Sequence, residues 1–324
     1  MKNIVLLGHG VGVKFVVESL ATSNIGYKVV AVITHPYTDH ISDLEMLEKR
    51  KDIYGEFGYN VFDLKQDFNI PVYEYNDVNE TEVVNLIELF SPTYIISIGC
   101  RNIIKSDFLK KFNQKVLNIH TTPLPEYRGA ASDSWMILNG EWGTKKYGCL
   151  HFIDQGIDTG DIVEKEYYDI SNFSYPIDVF KSRMSIFKSL IIKGLLKLSQ
   201  PDFVPEKQYA NSATVFPRLI TKRDGHINFK NWEGEDIIKF IYAFGYPFPG
   251  AYCFLNDVKL CILKAEFLQG KLFHPFANGL IVGKNNNNEY KIVVKGGVCL
   301  VKTLEVDGVE VPQGKFFKLG KFLK

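Results

Sequence analysis

Apolar residues recur along this chain with two textures, and the change between them divides it. Near the start, NIVLL (3–7) is a short apolar run ending in glycines, VKFVVESL has helical spacing, and YKVVAVIT is a second run rich in β-branched residues. Strand, helix, strand is the economical reading. The pattern continues through IPVYEY, a helix-like ETEVVNLIELF, a buried-strand candidate YIISIG (94–99) and KVLNIH (115–120). Alternating β and α elements predict an α/β domain built on a mostly parallel sheet covered on both faces. A polar, aromatic-rich stretch at 36–66 could be a lid or an interface, and the pattern does not choose. One helix is predicted over 180–200, before Pro201 and Pro205, and that proline pair reads as the linker.

Beyond about residue 206 the apolar runs shorten and are bounded by turn residues: GHINF, GAYCFL, VKLCILKAEFL, GLIVG, YKIVVKGG and VCLVKTLEV. These predict a second, smaller β-rich domain, an antiparallel barrel or sandwich. The domains are expected at 1–205 and 206–324, with Asn285 to Asn288 as a solvated loop tip.

Composition narrows the class. With 46% hydrophobic and 23% charged residues, the chain is an ordinary globular one. Thirty-eight Lys+Arg against 37 Asp+Glu leave a net charge of +1, which excludes a whole-molecule field that would hold polyanions. Cys100, Cys149, Cys253, Cys261 and Cys299 lie far apart, without metal-ligand spacing, and read as reduced, mostly buried thiols. The run before Gly8 is too short for a signal peptide, and no stretch approaches the roughly 18 apolar residues of a membrane span. A cytoplasmic protein with no metal and no membrane partner is expected.

GHGVG (8–12) sits where a phosphate-binding loop would follow a strand, but it lacks the third glycine and no acidic residue ends the next strand. It reads as a tight strand-to-helix turn. More informative are LNIHTTPLPEYRGAASDSWMILNGEW (117–142) and GCLHFIDQGIDTGDIV (148–163). In strand geometry Asn118 and His120 project from one face at a strand's end, where open α/β sheets bind ligands. An amide donor beside an imidazole suits acyl transfer, one stabilising an oxyanion and the other moving a proton. Asp158, in a glycine-bounded turn, could return a carboxylate to the same place and raise the imidazole's proton affinity. Taken singly, each has a plainer reading: His120 as a satisfied strand-end residue, Asn118 as a brace, Asp158 as an Asx-turn residue. Turn roles are preferred for Asp154 and Asp161, and His151 reads as a half-buried strand residue.

At this point the chain resembles a known family. NIHTTPLPEYRG is similar to the NxHxSLLPxYRG signature of 10-formyltetrahydrofolate-dependent formyltransferases, and GIDTGDI resembles the turn that carries their catalytic aspartate. GHGVG, ISIGCR, DGHINF and FPGAY also fit, so the resemblance covers most of the chain. It implies a Rossmann-like catalytic domain, an OB-like barrel, Asn118, His120 and Asp158 as the catalytic set, and 10-formyltetrahydrofolate as formyl donor. The pterin is then expected along Ile98, Gly99, Cys100 and Arg101. Thr121, Thr122 and Pro123 depart from the family's small residue, serine and leucine, which leaves the shape of that loop open.

Within the family, purine-pathway enzymes lack a β-rich second domain. Methionyl-tRNA enzymes have one, but a phosphate-binding stripe is expected of them, whereas here Asp224, Glu233, Glu235, Asp236, Asp257, Glu266, Glu305, Asp307 and Glu310 intersperse the lysines. AASDSW followed by NGEW is similar to the sugar-nucleotide N-formyltransferases; the tRNA enzymes usually have AAPIQ. The resemblance therefore implies a nucleotide-linked amino-deoxy sugar as substrate, most simply a dTDP sugar of surface polysaccharide. Trp135, Arg128, Arg218, Lys222 and Arg223 are the expected substrate contacts, or else part of a solvated segment. A homodimer without nucleic-acid partner is expected, with methionyl-tRNA formylation as the alternative.

Overall fold

The computed structural model describes residues 1–36 and 58–324, so most of the 36–66 stretch lies outside the described residues. The N-terminal alternation becomes β1 (Lys2–Gly8), α1 (Val11–Ala21), β2 (Tyr27–Thr34), α2 (Leu64–Phe68), β3 (Val72–Glu74), α3 (Thr81–Leu89) and β4 (Tyr94–Ile98). There follow α4 (Ser106–Lys111), β5 (Val116–His120), β6 (Arg128–Gly129), α5 (Ser132–Leu138), β7 (Thr144–Phe152), β8 (Ile162–Ile170), α6 (Pro176–Met184), α7 (Phe187–Lys197) and β9 (Val215–Phe216).

Seven strands form one sheet in the order β3-β2-β1-β4-β5-β7-β8. Pairings among β1 to β5 are parallel, while β5 and β7 run antiparallel. Strands buried on both faces need continuous apolar runs, and Ile4, Val5, Leu6 and Leu7 of β1 are all fully buried. Because β1 lies between β2 and β4, the order reverses there, and the carboxyl ends of β1, β4 and β5 frame the place where such sheets bind ligands. Gly8 makes this approach tight: a Cβ on it would lie 1.9 Å from the Ile98 carbonyl oxygen.

Contacts group the described residues into two compact units. The first comprises Met1–Ser132, Lys145–Asp169 and Lys181–Pro217; the second comprises Asp133–Thr144, Ile170–Phe180 and Arg218–Lys324. The last passage between units thus falls at 217/218, where the sequence suggested 205/206, and two earlier segments group with the later one. Aromatic packing accounts for that grouping. Within the second unit Trp142 Nε1–H donates to the Ser174 carbonyl at 3.2 Å, and Tyr175 stacks on Tyr242 at 4.8 Å.

The second unit continues with α8 (Thr221–Asp224), α9 (Gly234–Ala243), β10 (Ala251–Leu255), β11 (Val258–Gln269), β12 (Ile281–Lys284), β13 (Tyr290–Val294), β14 (Gly297–Val306), β15 (Val309–Glu310) and α10 (Gln313–Phe316). Its antiparallel sheet runs β10-β11-β14-β13-β12, with β15 beside β14. The last residues tie its two ends together. Leu323 N–H donates to the Gly279 carbonyl and Ile281 N–H to that of Lys321, while Phe254 and Lys324 exchange both backbone bonds. This is the barrel-like β-rich domain that the short runs predict.

Three details differ from the sequence reading. The helix over 180–200 is two, α6 and α7, with a break at Ser185, whose Oγ turns back to the Ser182 carbonyl at 2.7 Å. GHINF contributes only a bridge between His226 and Tyr252. Helix α9 was not anticipated, although Ile237, Ile238 and Ile241 have helical spacing on a buried face. Among the described residues, no helix is long and apolar enough to cross a membrane.

The glycines of the first turn offer a paired test. At Gly10 (φ +71°) an added Cβ meets nothing within 4 Å, whereas at Gly8 it meets backbone. Gly10→Ala should cost about 2 kcal/mol of unfolding free energy in urea, since φ +71° with ψ −166° is a region nearly confined to glycine, and Gly8→Ala about 4 kcal/mol or more, because β1 and β4 must also separate. Equal losses would contradict this packing.

Candidate functional site

Strand β5 alternates, so Asn118 and His120 share a face, and its antiparallel register sets Asn118 opposite His151 and His120 opposite Cys149 on β7. The turn from β7 to β8 then brings Asp158 back. Asp154 Oδ1 accepts from Gly156 N–H at 3.0 Å and from the Thr159 hydroxyl, so it shapes the turn as expected. Asp158 itself has left-handed backbone, φ +51°. A Cβ on Gly160 would lie 2.0 Å from the Phe152 carbonyl oxygen, so only glycine lets the turn close against the end of β7.

The Asp158 carboxylate is shared. Its Oδ2 accepts from Gly129 N–H at 2.9 Å and lies 3.7 Å from His120 Nδ1; its Oδ1 lies 3.6 Å from His151 Nε2. Asn118 Nδ2 donates to His151 Nε2 at 3.2 Å and reaches Asp158 Oδ1 at 3.5 Å. His151 Nδ1–H donates to the Phe152 carbonyl at 2.7 Å, so Nε2 is the bare nitrogen and the ring is neutral. Burial, with the neighbouring His120 as second cause, lowers the His151 pKa to about 4. His120 has the opposite arrangement: its Nε2 sits 2.7 Å from the Tyr127 carbonyl oxygen, which only an N–H tolerates, leaving Nδ1 toward Asp158. The Cys149 thiol, fully buried, is pushed up and stays protonated.

The expected catalytic residues Asn118, His120 and Asp158 therefore converge within the first unit. The other expected residues are placed as follows. Ile98 ends β4 and Gly99, Cys100 and Arg101 follow it, with the Gly99 carbonyl held 2.9 Å from His9 Nδ1. Burial pushes the Cys100 thiol up to about 11. Beside this segment, His35 meets His9 edge-on at 4.6 Å, and its pKa falls to about 4 through burial and the charges of His9 and Arg101. Arg128 is buried, donating through Nε and Nη2 to Gln208 Oε1 at 3.2 and 2.8 Å. That is a bracing contact within the protein. Trp135, Arg218, Lys222 and Arg223 belong to the second unit. Trp135 is half-buried on α5; Arg218 and Lys222 are exposed; Arg223 pairs with Asp224 at 2.6 Å.

Three participants were not singled out from sequence. His151 is not half-buried but 1% exposed, and it orients the Asn118 amide. Gln208 donates from Nε2 to the carbonyls of Asp158 and Gly160 at 2.9 and 2.7 Å, fastening the aspartate's turn to Arg128. Thr122 is fully buried, 2.8 Å from His120 Nε2. Only His151 left a usable trace, its alternation within LHFID opposite a strand that carries Asn118.

A pH experiment tests the neutral His151. Its folded pKa of about 4 lies below the ordinary 6.5, so the unfolded chain protonates first, and the stability it contributes is complete above pH 6.5 and lost as pH falls toward 4. Between pH 7 and pH 5 this should cost the protein about 2 kcal/mol. His151→Gln should lack that component while His35, shifted the same way, acts equally in both proteins. Identical pH slopes in urea unfolding would refute the assignment.

Comparison with known proteins accords with this geometry. Residues 1–186 match the family model described as formyl transferase, and 219–320 match formyl transferase, C-terminal domain. The methionyl-tRNA formyltransferase of Rickettsia bellii is 28% identical over 289 residues, 89% of this chain and 87% of that protein. The N-formyltransferase from Helicobacter canadensis, solved with folinic acid and dTDP-3-aminofucose, aligns with a TM-score of 0.63 at 22% identity, covering 93% of this chain and 99% of that one. WlaRD, a sugar 3N-formyl transferase solved with dTDP and 5-N-formyl-THF, aligns at 0.62 and 21%, covering 93% and 97%. With both family models matched in order along its length, the chain belongs to the formyltransferase family.

Proposed function

We propose that this formyltransferase moves the formyl group of 10-formyltetrahydrofolate to the amine of a nucleotide-linked amino-deoxy sugar, probed first as a dTDP sugar, for surface polysaccharide such as O-antigen. The observation that carries the transfer chemistry is the single carboxylate shared by His120, His151 and Gly129 beside the Asn118 amide. Support for a sugar acceptor comes from AASDSW and NGEW, and from the Helicobacter canadensis protein's complex with dTDP-3-aminofucose.

The residues present fit a formyl-folate donor. Asn118 has one N–H held by His151 and a second whose contact to Asp158, at 3.5 Å, is at the limit of a hydrogen bond and can turn to a developing oxyanion. His120 Nδ1 takes the proton that the sugar amine loses as its nitrogen bonds to the formyl carbon. The resulting imidazolium faces the Asp158 carboxylate, which stabilises it. When the bond from the formyl carbon to the folate N10 breaks, His120 returns that proton to N10, so the products are an N-formyl amine and the deformylated folate. Ile98 to Arg101 would hold the pterin through backbone groups at the end of β4. Arg218 and Lys222, both exposed, are the proposed pyrophosphate contacts.

We place the enzyme in the cytoplasm, as a homodimer; its five cysteines form no disulfide, which suits that compartment. In the second unit Lys239 pairs with Asp236, Lys295 with Glu233, and Lys302 with Glu266 and Glu289, which weakens any phosphate-binding stripe. A methionyl-tRNA acceptor is the second reading. It is favoured by the Rickettsia bellii relative and by the exposed Lys315, Lys318, Lys321 and Lys324, which no acidic residue interrupts.

The test is a formylation assay with 10-formyltetrahydrofolate against dTDP-3-amino and dTDP-4-amino sugars, a UDP-4-amino sugar and charged initiator methionyl-tRNA. Turnover of one sugar nucleotide is expected, and His120→Asn and Asp158→Asn should each lower kcat at least about 10²-fold with unfolding unchanged. Turnover of the tRNA alone would overturn the acceptor; near-normal rates in either variant would overturn the residue roles.

A further inference from the structure

The loop that departs from the family pattern is the one that touches the proposed base. Thr122 is fully buried, its Oγ1 lying 2.8 Å from His120 Nε2 and 3.4 Å from the Tyr127 carbonyl oxygen. Tyr127 O is itself 2.7 Å from Nε2, so hydroxyl, carbonyl and ring nitrogen form a closed triangle. Neighbouring contacts hold the loop that presents it. The Arg183 guanidinium donates to the Thr121 hydroxyl, and the Tyr168 hydroxyl donates to the Thr121 carbonyl at 2.9 Å.

We propose that Thr122 is a positioning residue for the transfer: with the Tyr127 carbonyl it holds the proton on His120 Nε2, so that Nδ1 is the atom that receives the amine's proton. This rests on the reading of His120 as the base. The Thr122 hydroxyl donates to Tyr127 O and offers its lone pair to Nε2–H, so one hydrogen has two acceptors. Neutral imidazole exists as two tautomers, and a carbonyl together with a hydroxyl at Nε2 disfavours the one with a bare Nε2. The same acceptors stabilise the imidazolium after it gains the proton at Nδ1. The titratable and charged groups around this ring are Asp158 from the β7–β8 turn, His151 and Cys149 on β7, and Arg183 from α6 by way of Thr121. Tyr127 O and the Thr122 hydroxyl lie at Nε2, whereas Asp158 faces Nδ1, so the hydroxyl's effect is separable from the carboxylate's.

The experiment compares the full-length wild type with Thr122→Val, which keeps the shape and removes the hydroxyl, Thr122→Ser, which restores it, and His120→Asn. The readouts are kcat against pH with 10-formyltetrahydrofolate and the dTDP-amino sugar that turns over fastest, and the His120 tautomer by long-range ¹H–¹⁵N NMR of the imidazole. Thr122→Val is expected to lower kcat about tenfold, the worth of one hydrogen bond to a charged group, while KM for the sugar changes less than about twofold. Its acidic limb should move to lower pH, because the imidazolium has lost an acceptor. Its Nε2–H, then held by the Tyr127 carbonyl alone, should give a ¹⁵N resonance displaced from that of the wild type. Thr122→Ser should restore all three. A Thr122→Val enzyme with the wild-type Nε2 resonance and pH profile, alongside an inactive His120→Asn, would overturn the role of Thr122 and leave the base in place. An active His120→Asn would overturn both.

Discussion

The Asp158 carboxylate faces His120 Nδ1 and His151 Nε2 and accepts the Gly129 N–H, and the elements around it are arranged to keep it there. Its backbone is left-handed, at a cost of about 1 kcal/mol for a residue with a side chain. The glycines at 156 and 160 let the turn close, and Gln208 holds the carbonyls on both sides of it. One negative charge beside two imidazoles cannot serve both alike. His151 is buried, bonded at both nitrogens and lowered to about 4, so it stays neutral and directs an amide. His120 instead keeps Nδ1 toward the carboxylate and Nε2 on the Tyr127 carbonyl. A single carboxylate thereby gives two histidines different work.

The α/β alternation of the first 120 residues was legible because strands buried on both faces require uninterrupted apolar runs, and β1, β2 and β4 have them. That Asn118 and His120 share a face and Asp158 returns beside them was legible in part, because two obey the strand period and the third sits in a glycine-bounded turn; the grouping of all three came from the resemblance. Gln208 was not, since its partners are backbone carbonyls about fifty residues away and nothing local marks the pairing. His151 was underestimated for a related reason. Alternation gives the face of a strand but not its neighbour, and the partner strand supplied Asn118. Arg128 reads in sequence as a cation for an anionic ligand, yet burial and two bonds to Gln208 make it a brace. Helix α9 escaped because its short amphipathic run is enclosed by β-type texture, which biased the reading.

The second unit combines two devices. Its sheet is tied end to end by the last residues of the chain, and Leu323 and Phe317 are buried where they do so. Its aromatic cluster of Trp142, Phe173, Tyr175 and Tyr242 draws together segments far apart in sequence. Neither device specifies what is formylated. Asn118, His120 and Asp158 belong to the first unit, whereas Trp135, Arg218, Lys222 and Arg223 belong to the second.

On the proposed mechanism His120 Nδ1, set by Asp158, receives the proton of the attacking amine. A crystal structure of the protein with 5-formyltetrahydrofolate and an amino-sugar nucleotide tests it most directly. The sugar nitrogen is expected about 3 Å from His120 Nδ1, with the formyl oxygen toward Asn118 Nδ2. An amine that approaches the formyl group from elsewhere, with Nδ1 facing Asp158 alone, would contradict it.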